Sequence, residues 1–251
     1  MRIAVAGATG RVGRHVVDVL RETGHDVVAI SRSTGVDVIT GEGLAEALTG
    51  VECIVDVATG PSPEQAPATE FFLTATRNLQ EAAAEAGVGR IVVVSIIGID
   101  QLSGGYNVAK LAHERAMLAG PVPVRILRAA QFHEFIGQMV EWSTRDGVAY
   151  LPQARTQPVA ARAVAEELAA LATDVEWVPS ADEPIHEVAG PQEESLPALA
   201  TALAAHRGDT LRVEGVSNPD DPDSEGYRDG VLLPGPDAKL AGPTFAEWLT
   251  S

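Results

Sequence analysis

The chain has 251 residues, 45% of them hydrophobic, enough for one large domain or a domain with an appended lobe around a sizeable core. Its 18 Lys and Arg stand against 35 Asp and Glu, and the formal charge of −17 argues against nonspecific binding to nucleic acid. The single cysteine, Cys53, excludes an internal disulfide or a cysteine metal cluster and suits a reducing cytoplasm; with no charged-then-apolar leader and no apolar run near ~18 residues, neither a secretory segment nor a membrane span is expected.

The first twelve residues after Met1 read RIAVAGATGRVG, and the rest of the chain is organised around them. Ile3 and Val5 belong to a short buried strand. Gly7, Gly10 and Gly13 follow at the spacing G-x-x-G-x-x-G, and Val12, Val16, Val17 and Leu20 then recur at helical spacing. A strand, a glycine turn and a helix in that order form a diphosphate cradle: the backbone approaches the phosphates and the first helical amides face them. An ordinary βα turn would not require three glycines in register. The helix ends near Gly24, and Val27 to Ser31 forms the second strand. Ser31 and Arg32 then occupy the place where NAD-selective chains carry an acid. Arg32, helped by Arg11, suits a ribose 2′-phosphate, so NADP is favoured over NAD; the plainer alternative is a solvated turn arginine.

Val36 to Ile39 is expected as a third strand, Leu44 to Leu48 as a short helix and Cys53 to Ala58 as a fourth strand. The fourth strand ends in small residues, Ala58, Thr59 and Gly60, that admit a cofactor. Ser62 to Gln65 has the form of a capping box, but Pro67 points to a later helix start, giving a helix from Phe71 to Ala86 with Phe72, Ala75, Leu79 and Ala82 or Ala83 inward. Arg90 to Ser95 makes a fifth strand, Tyr106 to Leu118 a helix and Val124 to Leu127 a sixth strand. The alternation implies an α/β fold, a Rossmann-type doubly wound parallel sheet over residues 1–130. Helices are expected at Phe132 to Arg145, Ala160 to Ala172 and Leu196 to His206. Strands are expected at Pro184 to Ala189 and Leu211 to Val216, followed by an acidic loop from Ser217 to Gly230 and a capped helix from Thr244 to Leu249. Residues 131–251 thus read as a small, discontinuous C-terminal substrate lobe.

Tyr106 and Lys110 are four residues apart on one helix face, and Ser95 ends a strand whose carboxyl end borders the ligand crevice. An ammonium beside a phenol lowers its pKa, and a serine hydroxyl can hold a carbonyl oxygen, so the set suits general-acid assistance to hydride transfer. The alternative is that Tyr106 packs at the helix start while Lys110 only binds ribose. His133, beside Glu134 and after Phe132, could touch substrate or stand as an ordinary helix-start residue; Phe132, Phe135, Trp142 and Tyr150 could line an aromatic pocket or pack in the core. The other histidines, His15, His25, His113, His186 and His206, lack metal-ligand spacing and no metal is expected. There is no G-x-S-x-G nucleophile turn.

The loop GATGRVG, with Thr9 inside it, resembles the short-chain dehydrogenase/reductase superfamily, and most closely its atypical, NmrA-like NAD(P)-binding branch. Further resemblance lies in Thr76-Arg77-Asn78-Leu79, in Gly87-Val88-Gly89-Arg90 and in Ile126 to Phe132, where Ala129 stands in place of a frequent proline. It covers about the first 135 residues. The resemblance implies Tyr106 as acid/base, Lys110 as its pKa tuner and a ribose ligand, and Ser95 as carbonyl holder. It also implies cofactor contacts from Gly7, Thr9, Gly10, Arg11, Val12, Gly13, Ser31, Arg32, Ala58, Thr59, Lys110 and Ala130, with substrate meeting Phe132 and His133. The expected function is NADP-dependent hydride transfer with a small or mid-sized carbonyl or quinone, in some relatives without a protein acid. The alternatives are a redox-sensing NADP-binding regulator without turnover, or an isomerase or epimerase using bound cofactor. The expected partner is a small molecule, in a cytoplasmic protein whose oligomeric state the sequence leaves open.

Overall fold

The structure is a computed structural model and describes residues 1–179 and 185–251. The first part of the chain runs β1 (Arg2–Ala6), α1 (Gly13–Glu22), β2 (Asp26–Ile30), α2 (Leu44–Ala47), β3 (Cys53–Asp56), α3 (Gln65–Ala86), β4 (Arg90–Ile96), α4 (Gly105–Leu118) and β5 (Val124–Ala129). There follow α5 (His133–Ser143), β6 (Thr144–Arg145), β7 (Val148–Pro152), β8 (Arg155–Thr156), α6 (Ala161–Thr173) and β9 (Ile185–Ala189). The chain closes with β10 (Glu194–Ser195), α7 (Leu196–Arg207), β11 (Arg212–Val216), α8 (Ser224–Asp229), β12 (Lys239–Leu240) and α9 (Phe245–Leu249).

Seven strands join in the order β12-β9-β5-β4-β3-β1-β2. Ile3 pairs with Val27 on one side and Cys53 on the other, both parallel, and Ile54 pairs in parallel with Ile91. The direction of strand order reverses at β1, between β2 and β3, and ligands of open α/β sheets bind outside the carboxyl ends at such a point. The β-branched runs of β3 and β4 are buried, as strands covered on both faces require.

Contacts divide the chain into two units that interleave in sequence. One holds residues 1–95, 105–128 and 164–186, the other residues 96–104, 129–163 and 187–251. The main core of the first unit gathers residues from Ala4 to Ile126, including Ile54, Leu79, Ile91, Met117 and Ile126. Each such large side chain contributes roughly 1.5–3 kcal/mol by leaving water. The second unit has a core of its own, built from Leu102, Ile136, Leu196, Leu199, Leu203, Leu232 and Phe245. In it β7 pairs antiparallel with β6 and parallel with β11.

Four expectations are corrected. Val36 to Ile39 is not a strand: Gly35, Gly41 and Gly43 all have positive φ, the Ile39 amide donates to Asp37 Oδ1 at 2.7 Å, and Asn78 Nδ2 donates to the carbonyls of Val38 and Ile39. The helix expected from Phe71 starts six residues earlier, at Gln65; Pro67 is its third residue, where an amide has no intrahelical acceptor to lose. The expected capping box at its start is absent, and Ser62 Oγ accepts from the nearby Glu64 amide. The acidic loop after Ser217 contains α8. Its Asp223 carboxylate, in the same unit as the loop it ties down, accepts from the Ser103 amide and hydroxyl at 2.9 and 2.7 Å and from the Gly104 amide at 3.1 Å. The expected strand from Pro184 is found as β9 from Ile185, Pro184 itself lying outside the described residues.

Candidate functional site

The glycine turn follows β1 as expected, and the structure gives each glycine a steric reason. Gly7 has φ +81°, and a Cβ there would lie 2.8 Å from the Ala58 backbone after β3. A Cβ on Gly13 would lie 2.1 Å from the Gly7 carbonyl oxygen, and one on Gly10 3.1 Å from the same atom. The Gly10 amide donates to that carbonyl at 2.9 Å, closing the turn. Val12 stands at the cap of α1 and supplies no side-chain acceptor, so the first helical turn keeps the anion-seeking amides that a Ser or Asp cap would occupy. Thr9 and Arg11 are exposed on this turn. Ser31 closes β2 and caps a short 3-10 turn whose first residue is the exposed Arg32, with no carboxylate at that position.

Around the ends of β3 and β4 the first unit gathers a second group. Ser95, in β4, is 2% exposed, and its hydroxyl has no hydrogen-bond partner. Tyr106, in the first turn of α4, shares a 3.0 Å hydrogen bond with Thr59 Oγ1 and meets the Phe72 ring edge-on at 5.7 Å. One turn on, the buried Lys110 ammonium sits 2.9 Å from His113 Nδ1 and 4.6 Å above the Phe72 ring. His113 Nε2 is 3.2 Å from Asp56 Oδ2, and Asp56 Oδ1 accepts from the Ala58 amide at 3.0 Å. Beside them, buried Glu114 accepts from Arg128 Nε and Nη2 at 3.0 and 2.9 Å, a forked pair.

The electrostatics follow from burial and from this chain of contacts. Burial works against the Asp56 carboxylate, but the His113 hydrogen bond, the His113 and Lys110 charges and the Ala58 amide hold its pKa below the usual range. Burial and the Lys110 charge push His113 down, so the ring is neutral. Burial lowers Lys110 to about 8, against the opposing charges of Asp56 and Glu114. Lys110 was expected to lower the Tyr106 pKa. Burial and the Asp56 charge raise it, the Thr59 bond only partly offsets them, and the ammonium is directed to His113. Cys53 is a packing residue whose thiol burial pushes up to about 12, which leaves it inert.

The structure brings Gly7, Gly10, Gly13, Ala58, Thr59, Tyr106, Lys110 and Ser95 into one unit. Ala130, Phe132 and His133 belong to the other. Ala130 is buried, its amide donating to the Val188 carbonyl, and Phe132 bridges to Val159. His133 is 1% exposed; its Nε2 lies 3.2 Å from the Pro243 carbonyl, and its ring packs on Phe245 and Trp248 at 5.3 and 5.5 Å. The ring thereby anchors the last helix. Phe135 meets Trp142 edge-on at 5.7 Å, but Trp142 and Tyr150 are exposed, so these aromatics do not enclose a pocket. The residues missed from sequence are Asp56, His113, Glu114 and Arg128. His113 did carry a signal: positions 106, 110 and 113 fall on one helical face.

Among the described residues no group of His, Cys, Asp and Glu is arranged to hold a metal ion, and no helix is long and apolar enough to cross a membrane. A family model described as NAD(P)H-binding matches residues 7–133, half of the chain. An L-arabinose 1-dehydrogenase (NAD(P)(+)) of Haloferax volcanii is 30% identical over 126 residues, which cover 47% of this chain and 48% of that protein; the chain thus spans about half the length of this relative. Among solved structures, an NADPH-dependent quinone oxidoreductase from Escherichia coli complexed with NADPH superposes with a TM-score of 0.74 at 20% identity, over 99% of this chain and 98% of that one. The Citrobacter sp. triphenylmethane reductase complexed with NADP(H) superposes with a TM-score of 0.72 at 20% identity, over 99% and 100%.

Proposed function

The chain belongs to the NAD(P)H-binding family, and from that premise we propose that it is an NADP-dependent oxidoreductase reducing a small or mid-sized carbonyl or quinone. The residues present suit the cofactor. The turn around Gly7 and Gly13 has no room for a Cβ, α1 begins without a side-chain cap, and an arginine stands at the end of β2 where an acid would repel a 2′-phosphate. When bound, the nicotinamide dinucleotide supplies a hydride to an electrophilic carbon. The protein's part is to hold, orient and protonate.

The observation that carries the reading is the group at the ends of β3 and β4: a buried ammonium, a phenol bonded to Thr59 and a buried serine hydroxyl without a partner. Buried hydroxyls are ordinarily satisfied, so Ser95 is suited to donate to the oxygen of a substrate. The phenol keeps its proton across the neutral range, because its pKa is raised, and Tyr106 holds that proton at Oη for a nascent alkoxide. Lys110 offers charge and N–H donors to a ribose hydroxyl. The amides of the α1 turn take the diphosphate, and Arg32 with Arg11 takes the 2′-phosphate. Specificity for the reducible group is assigned to the second unit, most of which lies outside the family match at residues 7–133.

The raised Tyr106 pKa also favours a variant of the same reading, in which a quinone accepts hydride and takes its proton from solvent. The test is consumption of reduced nicotinamide with aldehydes, ketones and quinones, wild type against Tyr106→Phe. Loss of about 100-fold in carbonyl turnover with binding retained supports a proton-donating phenol. Full carbonyl turnover in the variant removes that role and leaves hydride transfer intact. No saturable binding of NADPH or NADH by calorimetry would sink the whole assignment.

A further inference from the structure

Behind Tyr106 lies a line of buried groups of which the proposed chemistry uses only Lys110. Asp56 closes β3, and Lys110 and His113 stand on the α4 face that also carries Tyr106. The His113 ring lies flat on Phe72, with centroids 4.7 Å apart and planes 14° from parallel, so its two nitrogens are fixed in direction. One points at Asp56 Oδ2 at 3.2 Å, the other at Lys110 Nζ at 2.9 Å. An ammonium can only donate, so Nδ1 accepts and the ring proton resides on Nε2, facing the carboxylate. Packing alone gives no reason for this set, because burying ions costs several kcal/mol each and apolar residues of similar volume would fill the space at less cost.

We propose that Asp56 and His113 are positioning residues that act through Lys110: the carboxylate fixes the imidazole tautomer, and the bare Nδ1 holds the ammonium charged and aimed in one direction for the nicotinamide nucleotide. Only the identity of what the ammonium meets rests on the functional reading above. The ionisable groups facing Lys110 are Asp56 from β3 and His113 and Glu114 from α4, with Tyr106 one turn back. Helix α3 contributes the neutral Phe72 ring, and Glu114 is itself held by Arg128 of β5. Asp56 is therefore an anion that reaches Lys110 through a hydrogen-bonded ring and is not spent on a cation of its own.

The chain contains only two lysines, Lys110 and Lys239, so lysine Cε carbon-13 labelling reads the Lys110 titration by NMR on the full chain without nucleotide, and Lys239→Arg assigns the signals. The wild-type midpoint is expected at about 8. Asp56→Asn removes the anion, and His113→Phe keeps the stacked ring but removes the acceptor; each lowers the midpoint by about one pH unit or more. NADPH affinity, followed by its fluorescence, then starts to weaken at correspondingly lower pH. His113→Asn, whose Oδ1 can replace Nδ1 as acceptor, restores most of the wild-type titration. If His113→Phe does not fold, Asp56→Asn and His113→Asn still make the comparison. The proposal is overturned if folded Asp56→Asn leaves the Lys110 midpoint where it was, or if His113→Asn behaves no better than His113→Phe. A midpoint that moves as stated in a protein binding neither NADPH nor NADH overturns the functional reading and leaves the Asp56–His113–Lys110 coupling standing.

Discussion

In the first unit, charged side chains leave water and are answered by other side chains: Asp56 by His113, Lys110 by His113 and Phe72, Glu114 by Arg128. In the second, several carboxylates answer the backbone. Asp223 closes the loop at Ser103 and Gly104, Glu247 takes the Thr244 amide in a capping box, and Glu134 takes the Ala161 amide at 3.0 Å. The two uses of polarity serve different ends. Caps fix the path of the chain at low cost, whereas charges buried against each other keep a field inside the protein at high cost, and that cost makes sense where chemistry uses the field.

The contrast can be broken most forcefully at Glu114. Glu114→Ala removes the carboxylate that accepts from the buried Arg128 guanidinium and is expected to lower the unfolding free energy by about 3–5 kcal/mol in urea titration. Arg155→Ala, at the exposed pair with Glu193 in the second unit, leaves the unfolding midpoint essentially in place. Equal losses at the two sites would erase the distinction. Glycines sharpen it next. Gly13→Ala forces a Cβ onto the Gly7 carbonyl and is expected to weaken NADPH binding at least about 100-fold, or 2.7 kcal/mol, in calorimetry. Gly98→Ala, whose Cβ would meet the Val231 carbonyl at 2.0 Å within the second unit, costs thermal stability and leaves nucleotide affinity near wild type.

Smaller is the effect at Arg32. Arg32→Ala is expected to reduce the preference for NADPH over NADH by about tenfold through a weaker NADPH Kd, with NADH little changed. The smallest effect is at His133, whose burial lowers its pKa. Folding therefore favours the neutral ring: its contribution is complete above the unfolded value of ~6.5 and is lost as pH falls through the depressed folded value. Thermal melts between neutral and mildly acidic pH should show that slope, and His133→Asn should flatten it; an unchanged slope would deny the ring any part in holding Pro243.

What could be read from the residues was whatever is local. The strand, glycine turn and helix at residues 2–22 lie in one continuous stretch, and the alternation of β1 to β5 with helices follows from it. Where local signals compete, the reading fails. Val36, Val38 and Ile39 have strand propensity, but three glycines with positive φ turn the backbone there and Asn78 takes up its carbonyls from a distant helix. Pairings such as Asp56 with His113 span two elements and leave no mark in either stretch alone. Tyr106 and Lys110 share a helix face that their spacing makes legible, whereas burial and Asp56 act on the phenol from outside that helix and leave no mark in it.

The make-up of the two cores has a consequence for synthesis on the ribosome. All members of the main core cluster of the first unit lie between Ala4 and Ile126, so they are made before the chain reaches most of the second core. The second core spans Leu102 to Phe245 and stays open until Phe245 has been made. A nascent chain halted before Pro243 would offer the apolar faces of Leu196, Leu199 and Leu203, and a His133 without its acceptor, to chaperones and proteases.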